Sequence, residues 1–165
     1  MKDRVRLARW AAYGAAVAAF GYAGVSLYWA AGGTAGLSTV GGVAEKMARS
    51  GGAAAVAVIA ATVLLKTVGG LLALAMVRPW GQRLPGHAVG IAAMAGSAVL
   101  ILYGAVEVTG EALAETGAIR PSASADWTAL RWHLGFWDPW FLAWGLLLAI
   151  ATWGYRRAPR SPHRA

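Results

Sequence analysis

Apolar residues along this chain gather into four long runs, 10–31, 52–77, 88–108 and 139–155, with nearly all charge left to the segments between them. Each run is apolar all round instead of on one face, the pattern of a helix solvated by lipid. At 1.5 Å per residue each is about long enough to cross a hydrocarbon core of about 30 Å. The pattern predicts an all-α four-helix transmembrane bundle, one domain over 1–155, followed by a basic disordered tail at 156–165.

Within the runs, small residues recur at helical spacing. Ala11, Ala15, Ala19 and Ala23 make one stripe, and Ala53, Ala57 and Ala61 a second. Further along the second run Thr62, Lys66, Gly69, Gly70 and Ala73 share a face, while Leu64, Val68, Leu71 and Ala75 lie elsewhere. The small and polar faces are expected to meet protein and the aliphatic faces lipid. In the third run Ala92 with Gly96, and Ala93 with Ser97, give further close-packing positions.

The connections are unequal. Arg78-Pro79-Trp80-Gly81 and Pro85-Gly86 make a tight turn between runs two and three. The other two connections are longer. In 34–51, Leu37, Val40, Ala44 and Met47 share a helical face, fitting either a surface helix or a loop. In 118–137, Trp127, Leu130, Leu134 and Trp137 fall near one face, with Arg131 and His133 away from it, which predicts an interfacial helix. Asp138-Pro139 then reads as N-cap and first residue of the fourth span. Together the two long connections should form a short interfacial cap.

Charge orients this picture. Ten of the 15 Lys and Arg lie before run one, between runs two and three, or after run four, and six of the seven acids lie in or beside the long connections. Basic segments stay in the cytoplasm during insertion, so both termini are expected inside, the cap outside, and the protein in the cytoplasmic membrane. The apolar run behind the basic N-terminus is about twice the length of a cleaved signal, so the first helix is expected to be retained. The net charge of +8 is explained by these membrane-flanking clusters and anionic headgroups; no soluble basic face interleaved with aromatics exists to bind nucleic acid. The chain has no cysteine, which removes disulfide and thiolate chemistry.

Three strings carry a resemblance: 28–37 (YWAAGGTAGL), 66–85 (from KTVGGLLAL to RPWGQRLP) and 129–140 (ALRWHLGFWDPW). Together they resemble a family of small actinobacterial four-helix membrane proteins, the domain of unknown function numbered 3995. The resemblance spans nearly the whole chain and implies a bacterial integral membrane protein. It brings no catalytic residue to carry over.

Candidate chemistry is sparse. Lys66 lies twelve residues from Arg78, about 18 Å from the inner end at helical rise, where an ammonium costs about 3 kcal/mol to insert. It needs a partner, water or deprotonation. Glu107, the acid inside a span, lies too far toward the outer end for direct pairing; Tyr22 and Ser97 are nearer in depth. A proton-relay or anion-binding lysine stands against one that packs on Gly and Thr and reaches a carbonyl. At the outer end, Glu107, Glu111, Glu115, Arg131, His133 and Asp138 form a loose polar group, with Arg131, His133 and Asp138 its core. It has no HxxxH or ExxH spacing and its acids sit on separate segments, so no metal ligand set is assigned. Trp137, Trp140 and Trp144 could line an apolar ligand site, although aromatic belts account for most interfacial tryptophans; Trp144, the deepest, is the one expected to be buried. No cofactor motif is present, and none is expected.

Three functional readings follow: a non-catalytic membrane component that binds a partner protein, a second copy or lipid; a small transporter or proton-coupled module centred on Lys66; and a membrane enzyme acting on a lipid-soluble substrate at the His133–Asp138 region.

Overall fold

The computed structural model describes residues 2–123 and 125–157. Among the described residues the regular structure is all helical: α1 (Lys2–Ala30), α2 (Gly42–Ser50), α3 (Gly52–Ala75), α4 (Gly86–Glu115), α5 (Trp127–Trp132) and α6 (Asp138–Arg157), with short 3₁₀ turns at Leu37–Thr39 and Pro79–Arg83. Four helical stretches are long and apolar enough to cross a membrane: α1, α3, α4, and the continuous run Trp127–Arg157. The chain is a multi-pass membrane protein by that composition and length.

α1 lies between α3 and α6, and α6 lies along α4; α3 and α4 touch sparsely. The reason α1 is central is its alanine stripe. Ala11, Ala15, Ala19 and Ala23 are all buried, Ala15 and Ala19 completely, so neighbouring backbones close in on both sides. With no hydrophobic drive between helices in lipid, such close van der Waals contact is what holds them. The α4–α6 seam is tighter still. A methyl group at Gly104 would sit 2.7 Å from the Leu142 backbone nitrogen, and one at Gly145 would sit 2.9 Å from the Ile101 nitrogen.

The expected faces of α3 divide. Gly70 and Ala73 are buried and Leu64, Val68 and Leu71 exposed, as the pattern predicts, but Ala75, expected on the lipid side, is buried and Ala53, Ala57 and Ala61 are exposed. On α4, Ala93 and Ser97 are buried and Ala92 is not.

The two long connections gather at one end of the bundle, called the cap end below. The opposite end is basic: Arg78 stands 5.4 Å from the Tyr13 ring centre and Arg157 3.9 Å from that of Trp153, cations resting on aromatic faces. Arg156 and Arg157, assigned above to the tail, are the last residues of α6; residues 158–165 lie outside the described residues.

One sequence reading is corrected. Asp138 is no N-cap. Its backbone is helical (φ −82°, ψ −35°) and its N–H bonds the His133 carbonyl, so α5 runs into α6 through a π turn, His133–Trp137. The reason is Pro139, which has no N–H to give the carbonyl four residues back. A wider turn absorbs that break where an α ladder could not continue. The cap of this long helix is Asp126, whose Oδ1 accepts from the N–H groups of Thr128 and Ala129 at 3.0 and 3.1 Å.

Candidate functional site

The π turn decides what meets at the cap end. Residues five apart stand about 140° apart around a regular α-helix, so His133 and Asp138 would diverge. In the wider turn they converge, with His133 Nδ1 2.9 Å from Asp138 Oδ2. Gly104 lets α4 approach α6 at this level and brings Glu111, whose Oε1 lies 3.8 Å from the same Nδ1. One ligating atom from each of Glu111, His133 and Asp138 falls within 4.8 Å of the others.

The first long connection closes the group from the other side. Gly41, at φ +57°, takes a backbone conformation that favours glycine. A side chain there would also meet Ala129 at 2.6 Å. That close seating on α5 puts the Val40 carbonyl 2.9 Å from His133 Nε2. A carbonyl oxygen can only accept, so Nε2 carries the hydrogen. The same connection is pinned by Trp137 Nε1, which donates to Thr39 Oγ1 at 3.1 Å.

Asp138 is fully buried. One oxygen faces His133; the other, Oδ1, has no hydrogen-bond partner, and neither has Glu111 Oε2. Tyr22 and Tyr103 both lie close enough to feel the Asp138 charge. Two carboxyl groups and one imidazole thus share a mostly buried pocket. As a general base this dyad is blocked: one ring nitrogen is held by a backbone carbonyl and the other by Asp138.

Of the three residues expected at the core of the outer cluster, the fold joins His133 and Asp138 and sends Arg131 away. Arg131 pairs with Glu115, Nε to Oε1 3.1 Å, at the exposed rim, where such a pair adds little stability. Glu107 is half-buried and faces neighbouring charges of its own sign, Glu111 among them.

Lys66 finds partners the sequence only half identified. Its Nζ donates to Ser26 Oγ at 2.6 Å and stands 3.9 Å from the Tyr22 ring centre. Tyr22 was near in depth, as expected; Ser97 instead bonds the Met94 carbonyl. Helical side chains lean toward their helix N-terminus, which for α3 is the cap end, so Lys66 leans along α1 toward Ser26. A hydroxyl and an aromatic face, with no acid, make an anchor between α1 and α3. Lys66→Met keeps the stem and removes only that anchor. Its unfolding free energy in detergent is expected to stay within about 1 kcal/mol of wild type, because the lost contacts are offset by relief of the charge; loss of the folded protein would refute the anchor reading.

The tryptophans form core packing. Trp137 and Trp144 are buried. Trp137 sits edge-on to Trp29 and Phe136, and Trp144 stacks on Phe141. Trp140 donates to the Ala18 carbonyl at 3.0 Å. An apolar groove lies elsewhere, between α3 and the Pro79–Arg83 turn, lined by Val68, Leu71, Leu72, Ala75, Trp80 and Leu84.

The sequence placed Glu111, His133 and Asp138 in one loose polar group but could not show them converging, because the first two are 22 residues apart and the last two meet only through a π turn. Pro139 right after a polar, aromatic-rich helix was the available signal. No curated protein and no solved structure matches the chain. The model of the family described as "Protein of unknown function (DUF3995)" matches residues 19–148, and the chain belongs to that family.

Proposed function

We propose that the protein is a non-catalytic component of the cytoplasmic membrane, with both termini inside and the cap outside, that associates laterally through α3. The observation that carries this reading is the bare stripe Ala53, Ala57 and Ala61. α3 is the least covered of the four spans, with 11% of its apolar stretch buried against 28–39% in the others. Large aliphatic residues exposed on a span need only lipid, whereas alanines at four-residue spacing are the surface on which another helix packs closely. The matching stripe on α1 is already used that way within the chain. The occupant that needs nothing beyond this sequence is a second copy. The blocked His133–Asp138 dyad and the anchored Lys66 favour this reading over the enzyme and the transporter.

The chain's lack of cysteine makes the test direct. Ala57→Cys in native membranes, lightly oxidised, is expected to give a band at twice the 17.1 kDa chain mass, and lipid-facing Leu102→Cys on α4 is expected to give none. Equal behaviour of the two, with no adduct from Ala53→Cys or Ala61→Cys, would overturn lateral association through α3. In the same background, a membrane-impermeant maleimide should label Ser38→Cys at the cap on intact cells and spare Gln82→Cys in the opposite turn. The reverse pattern would invert the orientation.

A further inference from the structure

We propose that Glu111, His133 and Asp138 bind a divalent first-row transition-metal ion at the cap end, a site independent of any association along α3.

The first observation is spacing. Metal–ligand bonds of about 2.1 Å in a tetrahedral site put neighbouring ligand atoms about 3.4 Å apart. His133 Nδ1 stands 2.9 Å from Asp138 Oδ2 and 3.8 Å from Glu111 Oε1, on either side of that value. The second observation is independent of spacing. Asp138 is fully buried, yet its Oδ1 has no partner, and Glu111 Oε2 is likewise left without one. A buried carboxylate oxygen left open costs more than a kilocalorie-scale hydrogen bond returns, so such atoms normally have a ligand. Charge adds to this: with the nearby Arg131 committed to Glu115, the pocket holds two acids against one imidazole.

The third observation is the histidine's orientation. Metal-ligating imidazoles commonly donate their second ring N–H to a backbone carbonyl, which sets the tautomer and aims the lone pair. His133 Nε2 does this to Val40, leaving Nδ1 pointed at the two carboxylates. When the ion enters, the proton between Nδ1 and Asp138 leaves for solvent, and two carboxylates cancel a dication. One imidazole with two carboxylates suits zinc or manganese better than calcium, which takes six to eight oxygens.

The test uses the full chain, purified in detergent without a polyhistidine tag, stripped with chelator, and loaded separately with ZnCl₂ and MnCl₂. After desalting, elemental analysis is expected to find one ion per chain for at least one of the two metals. Glu111→Gln should weaken binding at least about tenfold, and Glu115→Gln, one turn along the same helix, should leave it unchanged. Manganese bound to the wild type should show nitrogen hyperfine coupling that disappears in His133→Ala. Glu111→Gln keeps the size of the side chain and a polar end group beside Asp138 and is expected to fold, so it carries the test if Asp138→Asn does not. Absence of both metals from the wild type, or equal binding by Glu111→Gln and Glu115→Gln, would overturn the site.

Discussion

Asp138→Ala is expected to be the most destabilising single substitution at the cap end, by about 3 kcal/mol in a detergent unfolding titration with chelator present. Asp138 is completely buried and His133 about three-quarters so. Removing the carboxylate strands the imidazole between a backbone carbonyl and Glu111, with nothing to accept from Nδ1. The low end of the usual range applies because the ring edge reaches solvent. Asp138→Asn keeps a polar partner for Nδ1 and should cost about half as much. The diagnostic is non-additivity. His133→Ala and Asp138→Ala together should cost less than the sum of the two singles, by about 0.5–3 kcal/mol, since the double variant no longer leaves either member of the pair without the other. Strict additivity would mean that the pair is not coupled.

Substitution of Gly104 should do comparable damage by a different route. The Cβ of Gly104→Ala would meet Leu142 N at 2.7 Å and the Asp138 carbonyl at 3.0 Å. Both are backbone atoms that cannot swing aside, so α4 and α6 must separate. Overpacking of this kind costs about 1–3 kcal/mol, partly offset by the helix preference of alanine over glycine, about 1 kcal/mol. Gly104→Leu has no such compensation and is expected not to yield folded protein. Gly110→Ala is the control: it lies in the same helix, nothing stands within 4 Å of the added carbon, and the substitution should stabilise by up to about 1 kcal/mol. If Gly104→Ala and Gly110→Ala shifted stability in the same direction, the close α4–α6 approach would be refuted. Because Gly104 abuts the Asp138 carbonyl, its substitution should also disturb the Glu111–His133–Asp138 group without touching any of its side chains.

Much of the fold was legible in single segments. The stripe Ala11, Ala15, Ala19, Ala23 named the face on which α1 is buried, and the expected burial of Trp144 holds at 4% exposure. The same kind of stripe at Ala53, Ala57 and Ala61 was equally legible, yet it is exposed among the described residues: small spacing marks a surface competent for close packing and does not name the occupant. The reading of Asp138 failed for a local reason. Asp-Pro is a strong helix start in isolation, but a helix already capped at Asp126 reaches that position, and a π turn lets the chain pass through the proline.

The sequence by itself determined which segments are long and apolar enough to cross a membrane, because transfer of a side chain from water to hydrocarbon is a property of that residue and adds up along a run. It also determined that any charge within those runs needs a partner. Which groups meet was decided only by the tertiary structure: Lys66 with Ser26 and Tyr22, and Glu111 with His133 and Asp138. Those pairings join helices far apart in the chain. They depend on how closely two backbones approach at Gly104 and on one extra residue in the turn before Pro139, and contact energies that change over a fraction of an ångström leave no mark on composition or periodicity.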